Sequence, residues 1–342
     1  MIRRLAAIAA TSALVLAAAG CGGDTATVRL LTHSSFLVSD AVVEEFTATT
    51  GFELEIIQGE DAGSVLNQAI LTAGNPVADV LFGVDTTFLS RALDAGLFTP
   101  HRSPAADGLL PGFDAGPLVT PIDFGDVCIN YDRAAFDGTG PPETLDDLLD
   151  PAYRDMLVVE NPATSSPGLA FLLATVARYG DEGPDDWRAF WAALRENGVA
   201  VAPGWEEAYY GRFSATGGDR PMVVSYASSP PAAVIFSETP LDEAPTAVLA
   251  DGCFRQVEYA GILRGAENAD GAAALIDFML TPTFQEDMPL NMFVFPAVAD
   301  AELPPEFVEF TVVPEDPETL DPAVITANRE RWIEEWTEIV LG

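Results

Sequence analysis

The stretch VTPIDFGDVCINYDR, residues 119–133, decides how this chain is organised. It is long and extended in character, without the helical repeat of apolar residues at every third or fourth position. A second stretch of the same kind, GCFRQVEYAGIL, occupies residues 252–263. A block of alternating helical and strand-like segments lies between the two. We therefore expect the chain to cross into a second lobe along the first stretch and to return along the second.

The residues before this stretch alternate between strand-like and helical segments joined by short loops. The strand-like segments are ATVRLLTHSSF, FELEIIQ and ADVLFGVD, and the helical ones are DAVVEEFTATTG, GSVLNQAILTAGN and TTFLSRALDAG. This order predicts an α/β fold with a parallel sheet, whose ligands bind at the carboxyl ends of the strands. We assign residues 28–125 and 256–320 to lobe 1, residues 126–255 to lobe 2 and residues 321–342 to a C-terminal helix. We expect a ligand cleft between the two lobes.

The amino terminus has the pattern of an export signal. A basic start, MIRR, precedes the apolar run LAAIAATSALVLAAA and the pair Gly20-Cys21. We predict a signal peptide over residues 1–20, a lipid on Cys21 and a short tether over residues 21–27. The alternative, a retained membrane helix, fits poorly because the apolar run is short. The chain is therefore expected to be exported and anchored by lipid to the outer face of the cell membrane.

Charge limits the classes of partner. The chain has 53 acidic and 16 basic residues, a formal net charge of −37, and every basic residue is arginine. Nucleic acid is excluded as a partner because binding its phosphate backbone requires a basic surface. An acidic surface favours cationic ligands at long range, although the same charge also serves solubility or salt adaptation.

Two cysteines remain in the mature chain. Cys128 and Cys253 form an even pair in an exported protein, which favours a disulfide. Each lies in an apolar, strand-like stretch, so two buried free thiols are the alternative. His33 and His101 are the only histidines in the sequence, and no cysteine–histidine cluster has metal-site spacing. We expect no metal site.

Hydroxyl groups precede two predicted helices of the middle block. Ser165 and Ser166 stand before a helix that Pro167 begins, and free N–H groups and hydroxyls at such a start can hold an anion or a polar ligand. Simple N-capping is the alternative. Ser228 and Ser229 repeat the arrangement after a strand. Two such clusters in one lobe favour a polar ligand site.

Three further side chains are candidates for ligand contacts. Asp61, between a strand and a helix, is either an N-cap or a carboxylate that faces a cation. Trp205, in APGWEEAYYGRF, and Tyr226, at the end of a strand, could each stack on a flat cation, worth about 1–2 kcal/mol when desolvated. Burial in the core is the alternative for the tryptophan. No catalytic set is present, which indicates a site that holds its ligand.

The motifs as a set resemble the thiamine-binding solute-binding proteins of ABC importers. The resemblance covers nearly the whole mature chain and is carried by HSSF, GEDAGSVLN, PIDFGDVCINYD, NPATSSPGLAFLLA, GWEEAY, VVSYASSP and RERWIEEW. It implies the two-lobed periplasmic-binding-protein-like fold of type II, with two linking strands. It also implies a monomer without a cofactor that binds thiamine, thiamine monophosphate or thiamine diphosphate and delivers it to a permease and its ATPase.

The ligand contacts of the family fall on positions already noted. The resemblance implies binding by Asp61, Ala62, Ser165, Ser166, Trp205, Tyr226, Ala227, Ser228 and Ser229. His33 stands where the family often has tyrosine, Phe293 where it has tryptophan, and Ala232 where another aromatic residue is common. His33 and Phe293 are candidates for an additional wall, and the aromatic enclosure is expected to be thinner.

Two related functions remain as alternatives. Thiaminases of the first type share the fold and cleave thiamine with a cysteine, for which Cys128 is the candidate here. A Cys128–Cys253 disulfide would exclude that chemistry. Ferric-ion-binding proteins of the same superfamily use adjacent tyrosines, as Tyr209 and Tyr210 suggest, but their other ligands are not found in the sequence.

Overall fold

The computed structural model describes residues 26–138, 140–237 and 239–342. The predicted signal peptide (1–20) and the predicted lipidation site, Cys21, lie outside the described residues. The first strand begins at Thr27, the last residue of the predicted tether. No helix within the described ranges is long and apolar enough to cross a membrane.

The described strands form one continuous mixed sheet across the molecule. Their bounds are β1 Thr27–Thr32, β2 Glu53–Gln58, β3 Val80–Asp85, β4 Phe98–Thr99, β5 Thr120–Asp132, β6 Leu157–Glu160, β7 Ala200–Ala202, β8 Met222–Tyr226, β9 Thr246–Leu263 and β10 Phe295–Pro296. The main order is β2-β1-β3-β9-β5-β8-β6-β7, while β4 pairs with β9 and β10 with β5.

Helices cover both faces of this sheet. Their bounds are α1 Asp40–Thr50, α2 Ala62–Leu71, α3 Leu89–Asp94, α4 Ser166–Tyr179, α5 Trp187–Glu196, α6 Pro230–Ile235, α7 Ala269–Met279, α8 Pro282–Gln285, α9 Met288–Asn291, α10 Pro305–Phe310 and α11 Pro322–Val340. A π-helical turn, Glu207–Arg212, follows Trp205.

The two long strands β5 and β9 pair antiparallel along the middle of the sheet and belong to both lobes. On one side, β1 pairs parallel with β2 and β3, as the strand–helix alternation predicts. On the other side, β6 pairs parallel with β7 and β8. The predicted two-lobed architecture with two linking strands is confirmed, whereas the lobe boundaries at 125–126 and 255–256 stay predictions.

Strand β9 is longer than its sequence indicates. It begins at Thr246 rather than Gly252, and a bulge interrupts its pairing with β5 between Val127 and Ile129. Gly252 lies at this bulge with a left-handed backbone, φ 74°. In the sequence, the Asp-Gly pair at 251–252 therefore looks like a turn that ends a strand. In the structure it is a bulge, and the strand continues on both sides of it.

Two apolar cores hold the sheet between its helices. One packs α1 and α7 against β1 through residues such as Phe46 and Leu275. The larger one runs beneath both lobes and includes the buried face of α4 and the tryptophans of α5 and α11. Trp336 of α11 lies edge to face on Trp191 of α5, with ring centroids 5.4 Å apart. The closing helix is therefore packed into the body of the protein.

A disulfide joins the linking strands. Cys128 of β5 and Cys253 of β9 are bonded, and both side chains are buried. The bond lies at the bulge, where the regular ladder between the two strands is interrupted. It therefore ties the strands together where backbone pairing is weakest.

Candidate ligand-binding site

A cleft lies where several strand ends meet. His33 follows β1, Asp61 follows β2 and Tyr226 ends β8, so the carboxyl ends of the strands supply its wall, as expected for open α/β sheets. Eight of the sequence-derived candidates line it: Asp61, Ala62, Ser166, Trp205, Tyr226, Ser229, His33 and Phe293. The fold thus gathers residues that are up to 260 positions apart in the chain, from His33 to Phe293.

The Asp61 carboxylate is the most heavily hydrogen-bonded group of the site. One oxygen accepts from the backbone N–H groups of Ala62 at 2.7 Å and Ser166 at 3.2 Å. The other accepts from the Ser165 hydroxyl and from the Trp205 backbone N–H, both at 2.9 Å. Asp61 is thus the N-cap of α2 and, at the same time, a bridge to the opposite lobe. Burial raises the pKa of this carboxyl, while the four donors act in the opposite direction.

Three candidates lie just behind the wall of the cleft. The Ser165 hydroxyl is committed to Asp61, and the Ser228 hydroxyl donates to the backbone carbonyl of Phe293 at 2.5 Å. Ala227 is buried in a small cluster with Cys128 and Cys253. These residues support the side chains that line the cleft. Ser166, by contrast, lines the cleft, while its hydroxyl oxygen is itself buried.

Trp205 lies in an aromatic group that fixes its orientation. Its ring stacks on Tyr209, with centroids 4.9 Å apart and planes 21° apart, and meets Tyr210 edge to face. Its indole N–H donates to the Ser225 hydroxyl at 2.9 Å, and that hydroxyl shares a hydrogen bond with Ser229. The ring is therefore held rigidly while it lines the cleft, as a stacking surface requires.

Tyr226 owes its place to a glycine on the neighbouring strand. A Cβ atom at Gly125 would lie 2.8 Å from Cδ1 of the Tyr226 ring. Any larger residue at this position would push the ring out of the wall. Burial raises the pKa of Tyr226 well above its ordinary value, so its hydroxyl stays protonated.

The floor of the cleft contains a row of acids that the sequence reading did not select. Glu258 of β9 lines the cleft and lies opposite Asp85 of β3 and Asp123 of β5 in the strand register. All three side chains are buried. The available signal was an acidic residue in each of three strands, at the end of β3 and within β5 and β9. Because these residues alternate with buried hydrophobic ones, the pattern was indistinguishable from an ordinary two-faced strand.

His33 stands over this row. Its Nε2 atom is 3.8 Å from a carboxylate oxygen of Glu258, and its ring lies near Phe82. Burial lowers the pKa of His33 to about 4, so the imidazole is neutral at physiological pH. Among the described residues that line the cleft, none is lysine or arginine. Two carboxyl groups, those of Asp61 and Glu258, thus line the cleft with no basic side chain beside them among the described lining residues.

The described residues contain no group of three or more histidine, cysteine, aspartate or glutamate side chains arranged to hold a metal ion. Tyr209 is buried against Trp205, whereas Tyr210 meets that ring edge to face but is exposed and lines the cleft. Of the two tyrosines of the ferric alternative, Tyr209 is thus used in packing against the tryptophan.

The sequence family described as bacterial extracellular solute-binding protein matches residues 75–311. The chain belongs to this family. The Thiamine-binding periplasmic protein of Escherichia coli is 32% identical over 318 residues, covering 92% of this chain and 93% of the relative. The protein of the same name from Brucella suis is 30% identical and covers 94% and 93%. More distant is Iron uptake protein A1 of Synechocystis, at 22% identity over 90% of this chain.

Among solved structures, one described as a periplasmic thiamin binding protein superposes with a TM-score of 0.82 at 28% identity, covering 92% of this chain and 96% of that one. The resemblance predicted from the motifs and the periplasmic-binding-protein fold are therefore both confirmed. The relatives are periplasmic binding proteins, which places this member of the family outside the cytoplasm with a small-molecule ligand.

Proposed function

We propose that this solute-binding protein captures thiamine outside the cytoplasm and delivers it to an ABC permease and its ATPase. The observation that carries the proposal is one cleft that combines a fixed indole surface, Trp205, with the carboxylates of Asp61 and Glu258. An aromatic cation needs a flat ring to stack on and negative charge in a partly desolvated site. The similarity to proteins named for thiamine binding supports the same ligand.

Capture is a clamp movement in this proposal. The linking strands β5 and β9 bend, the lobes close on the ligand, and Asp61 forms its bonds to Ser165 and Trp205 in the closed form. The closed form then docks on the permease. We further propose that the protein acts as a monomer, held to the membrane by a lipid on Cys21.

Binding without chemistry fits the site better than cleavage does. The thiaminase alternative needs a free thiolate at Cys128, and that sulfur is buried and bonded to Cys253. We therefore propose that no enzymatic step accompanies capture, and that no cofactor is needed.

Among thiamine and its phosphate esters, we propose that the free vitamin is preferred. A phosphate group carries negative charge into a cleft whose described lining includes the carboxyl groups of Asp61 and Glu258 and no lysine or arginine. The N-terminus of α4, at Ser166, offers hydrogen bonds but no compensating cationic side chain.

The test is a calorimetric and fluorescence titration of the chain from Gly22 onward with thiamine, alongside Trp205→Ala and Trp205→Phe. One-to-one binding, weakened at least about tenfold in the alanine variant and less in the phenylalanine variant, would support the proposal. Chromatography of the ligand after incubation would reveal cleavage, which would contradict it. Absence of binding at every condition would assign the cleft to another ligand.

A further inference from the structure

Three buried acids lie side by side at the floor of the cleft. Glu258 pairs in register with Asp85 on one neighbouring strand and with Asp123 on the other. A carboxylate buried without donors is costly, because an isolated charge loses its hydration. The hydrogen bonds available to each member of this row therefore decide which of them carries a charge.

Asp85 is provided with donors. One of its oxygens accepts from the Thr87 hydroxyl at 2.6 Å and from the backbone N–H groups of Thr87 and Phe88. These bonds stabilise an ionised carboxylate. They act against burial, which raises the pKa of Asp85, so Asp85 is the member of the row best able to carry a negative charge.

Asp123 and Glu258 lack such support. Neither oxygen of Asp123 receives a hydrogen bond from an N–H group or hydroxyl of the described residues. Its carboxyl group is instead buried beside that of Glu258, its cross-strand neighbour in register. Since two carboxylates buried side by side without donors cannot both stay ionised at low cost, the pair holds a proton. Burial raises the pKa of both groups, that of Glu258 further through the negative charges of Asp123 and Asp85.

The other groups facing Glu258 do not supply a permanent positive charge. His33 comes from the loop after β1 and is neutral, while Tyr226 of β8 keeps its proton. Asp61, at the start of α2, adds further negative charge. A cationic ligand can therefore supply the positive charge that the described groups around Glu258 lack.

We propose that Glu258, backed by Asp123, is a ligand-binding residue that couples capture of a cation to release of a proton. When a cationic ligand enters the cleft, the proton held by the two carboxyl groups leaves to solvent. The ligand's positive charge then replaces it beside the ionised pair. This inference rests on the proposed function for the identity of the cation, and it adds a residue that the resemblance did not supply.

The consequence is a dependence of affinity on pH with a fixed sign. A cation binds the ionised pair and competes with the proton, so the affinity rises with pH while the free protein still holds the proton. The rise approaches tenfold per pH unit when one full proton is released, and it levels off above the pKa of the free pair. Deprotonation of these three acids would not make the affinity for a cation fall as the pH rises.

The experiment is titration calorimetry of the disulfide-intact protein with thiamine between about pH 5.5 and 8.5. At each pH it is run in two buffers of different ionisation enthalpy, so that the difference in heat counts released protons. We expect release on the acidic side of the range and an affinity that rises over the same interval. Unchanged affinity without proton exchange would overturn the inference and leave the proposed function intact. Failure of thiamine to bind at any pH would overturn both.

Two variants assign the proton. Glu258→Gln keeps the shape of the side chain, and it is expected to bind thiamine more weakly and with little proton release. Asp123→Asn removes the charge behind Glu258 and offers it an amide donor, so the rise in affinity should move to lower pH. A merely structural role would weaken binding without moving this interval. Retained proton release in Glu258→Gln would overturn the assignment.

The matched control is Glu267→Gln, which removes an exposed carboxylate that pairs with Arg29 on the surface. Its affinity, proton count and pH profile are expected to match those of the unmodified protein. Circular dichroism and thermal unfolding of every variant establish that each is folded before its binding is interpreted.

Discussion

The carboxylate of Asp61 accepts a hydrogen bond from the backbone N–H of Trp205 at 2.9 Å, although 144 positions separate the two residues in the chain. Asp61 begins α2 of lobe 1, whereas Trp205 belongs to the middle block that forms lobe 2. The same carboxylate oxygen accepts from the Ser165 hydroxyl, also in lobe 2. Asp61 therefore joins the two lobes by hydrogen bonds and also lines the cleft. We call the hydrogen bonds from Trp205 and Ser165 to Asp61 the latch.

Asp61→Asn is expected to weaken both functions of this latch. The amide keeps one acceptor oxygen, but its NH₂ group points donors at the N–H and hydroxyl donors that the carboxylate satisfied. Hydrogen bonds to a charged group contribute about 1.5–3 kcal/mol each, so we expect at least a tenfold loss of thiamine affinity. Calorimetry measures the loss, and small-angle scattering of the free protein measures whether the lobes open.

The neighbouring Glu60 provides the control for that change. It is exposed, and its side chain takes no part in the latch. Glu60→Gln should therefore bind thiamine within about twofold of the unmodified protein. If Asp61→Asn binds equally well, the carboxylate is a simple helix cap and the latch has no role in capture.

The sequence was sufficient for the architecture because the relevant signals are local. Each strand–helix pair of lobe 1 is marked by its own apolar period and by a closing glycine, and the linking strands are long enough to be recognised without their partners. Strand β9 extended beyond its prediction because a bulge at Gly252 looks like a turn when the opposite strand is unknown.

The site was predictable only in part, for a physical reason. Asp61, Trp205 and Tyr226 stand at the ends of elements, where polar or aromatic residues are conspicuous. Glu258 and Asp123 lie inside strands, and their significance arises from cross-strand register, which a single sequence does not contain. The latch was likewise hidden, because it depends on a contact between segments far apart in the chain.

Loss of the disulfide should lower the free energy of unfolding and leave ligand binding in the cleft nearly unchanged. The bond closes a separation of 125 residues, for which chain entropy gives a contribution of about 4–5 kcal/mol to the free energy of unfolding. We expect a decrease of this order in the double variant Cys128→Ser, Cys253→Ser, measured by urea unfolding. Thiamine affinity should change by no more than about twofold.

Reductant separates this effect from substitution at two buried positions. It should lower the stability of the unmodified protein and leave that of the double variant unchanged. Equal sensitivity of the two proteins to reductant would show that the stabilising bond is not this one.

Glu160→Gln should stabilise the protein at high pH. Glu160 is buried, and neither of its carboxyl oxygens has a hydrogen-bond partner among the described residues. Burial, together with the negative charge of Asp61, raises its pKa well above the ordinary value. Its favourable contribution is complete below the unfolded pKa and is lost as pH rises through the folded pKa. The glutamine variant has no proton to lose.

Urea unfolding at about pH 5 and pH 8.5 tests whether the variant gains stability relative to the unmodified protein as the pH rises. The midpoint of Glu160→Gln should exceed that of the unmodified protein at the higher pH, and the difference should shrink at the lower pH. Glu267→Gln, which removes an exposed charge, should show no such dependence. A variant less stable at both values would mean that the Glu160 carboxylate is stabilised by contacts beyond those described.

Thiamine diphosphate should bind more weakly than thiamine monophosphate, and the monophosphate more weakly than thiamine. Asp61 and Glu258 line the cleft without a lysine or arginine among the described lining residues, so each phosphate charge meets like charge. Two like charges about 8 Å apart repel by about 2 kcal/mol at an effective dielectric constant of about 20, which corresponds to roughly thirtyfold in affinity. Competition calorimetry measures the order, and Glu258→Gln should narrow the differences. Equal affinities in the unmodified protein would mean that the start of α4 offsets the full phosphate charge, and would contradict the proposed preference for the free vitamin.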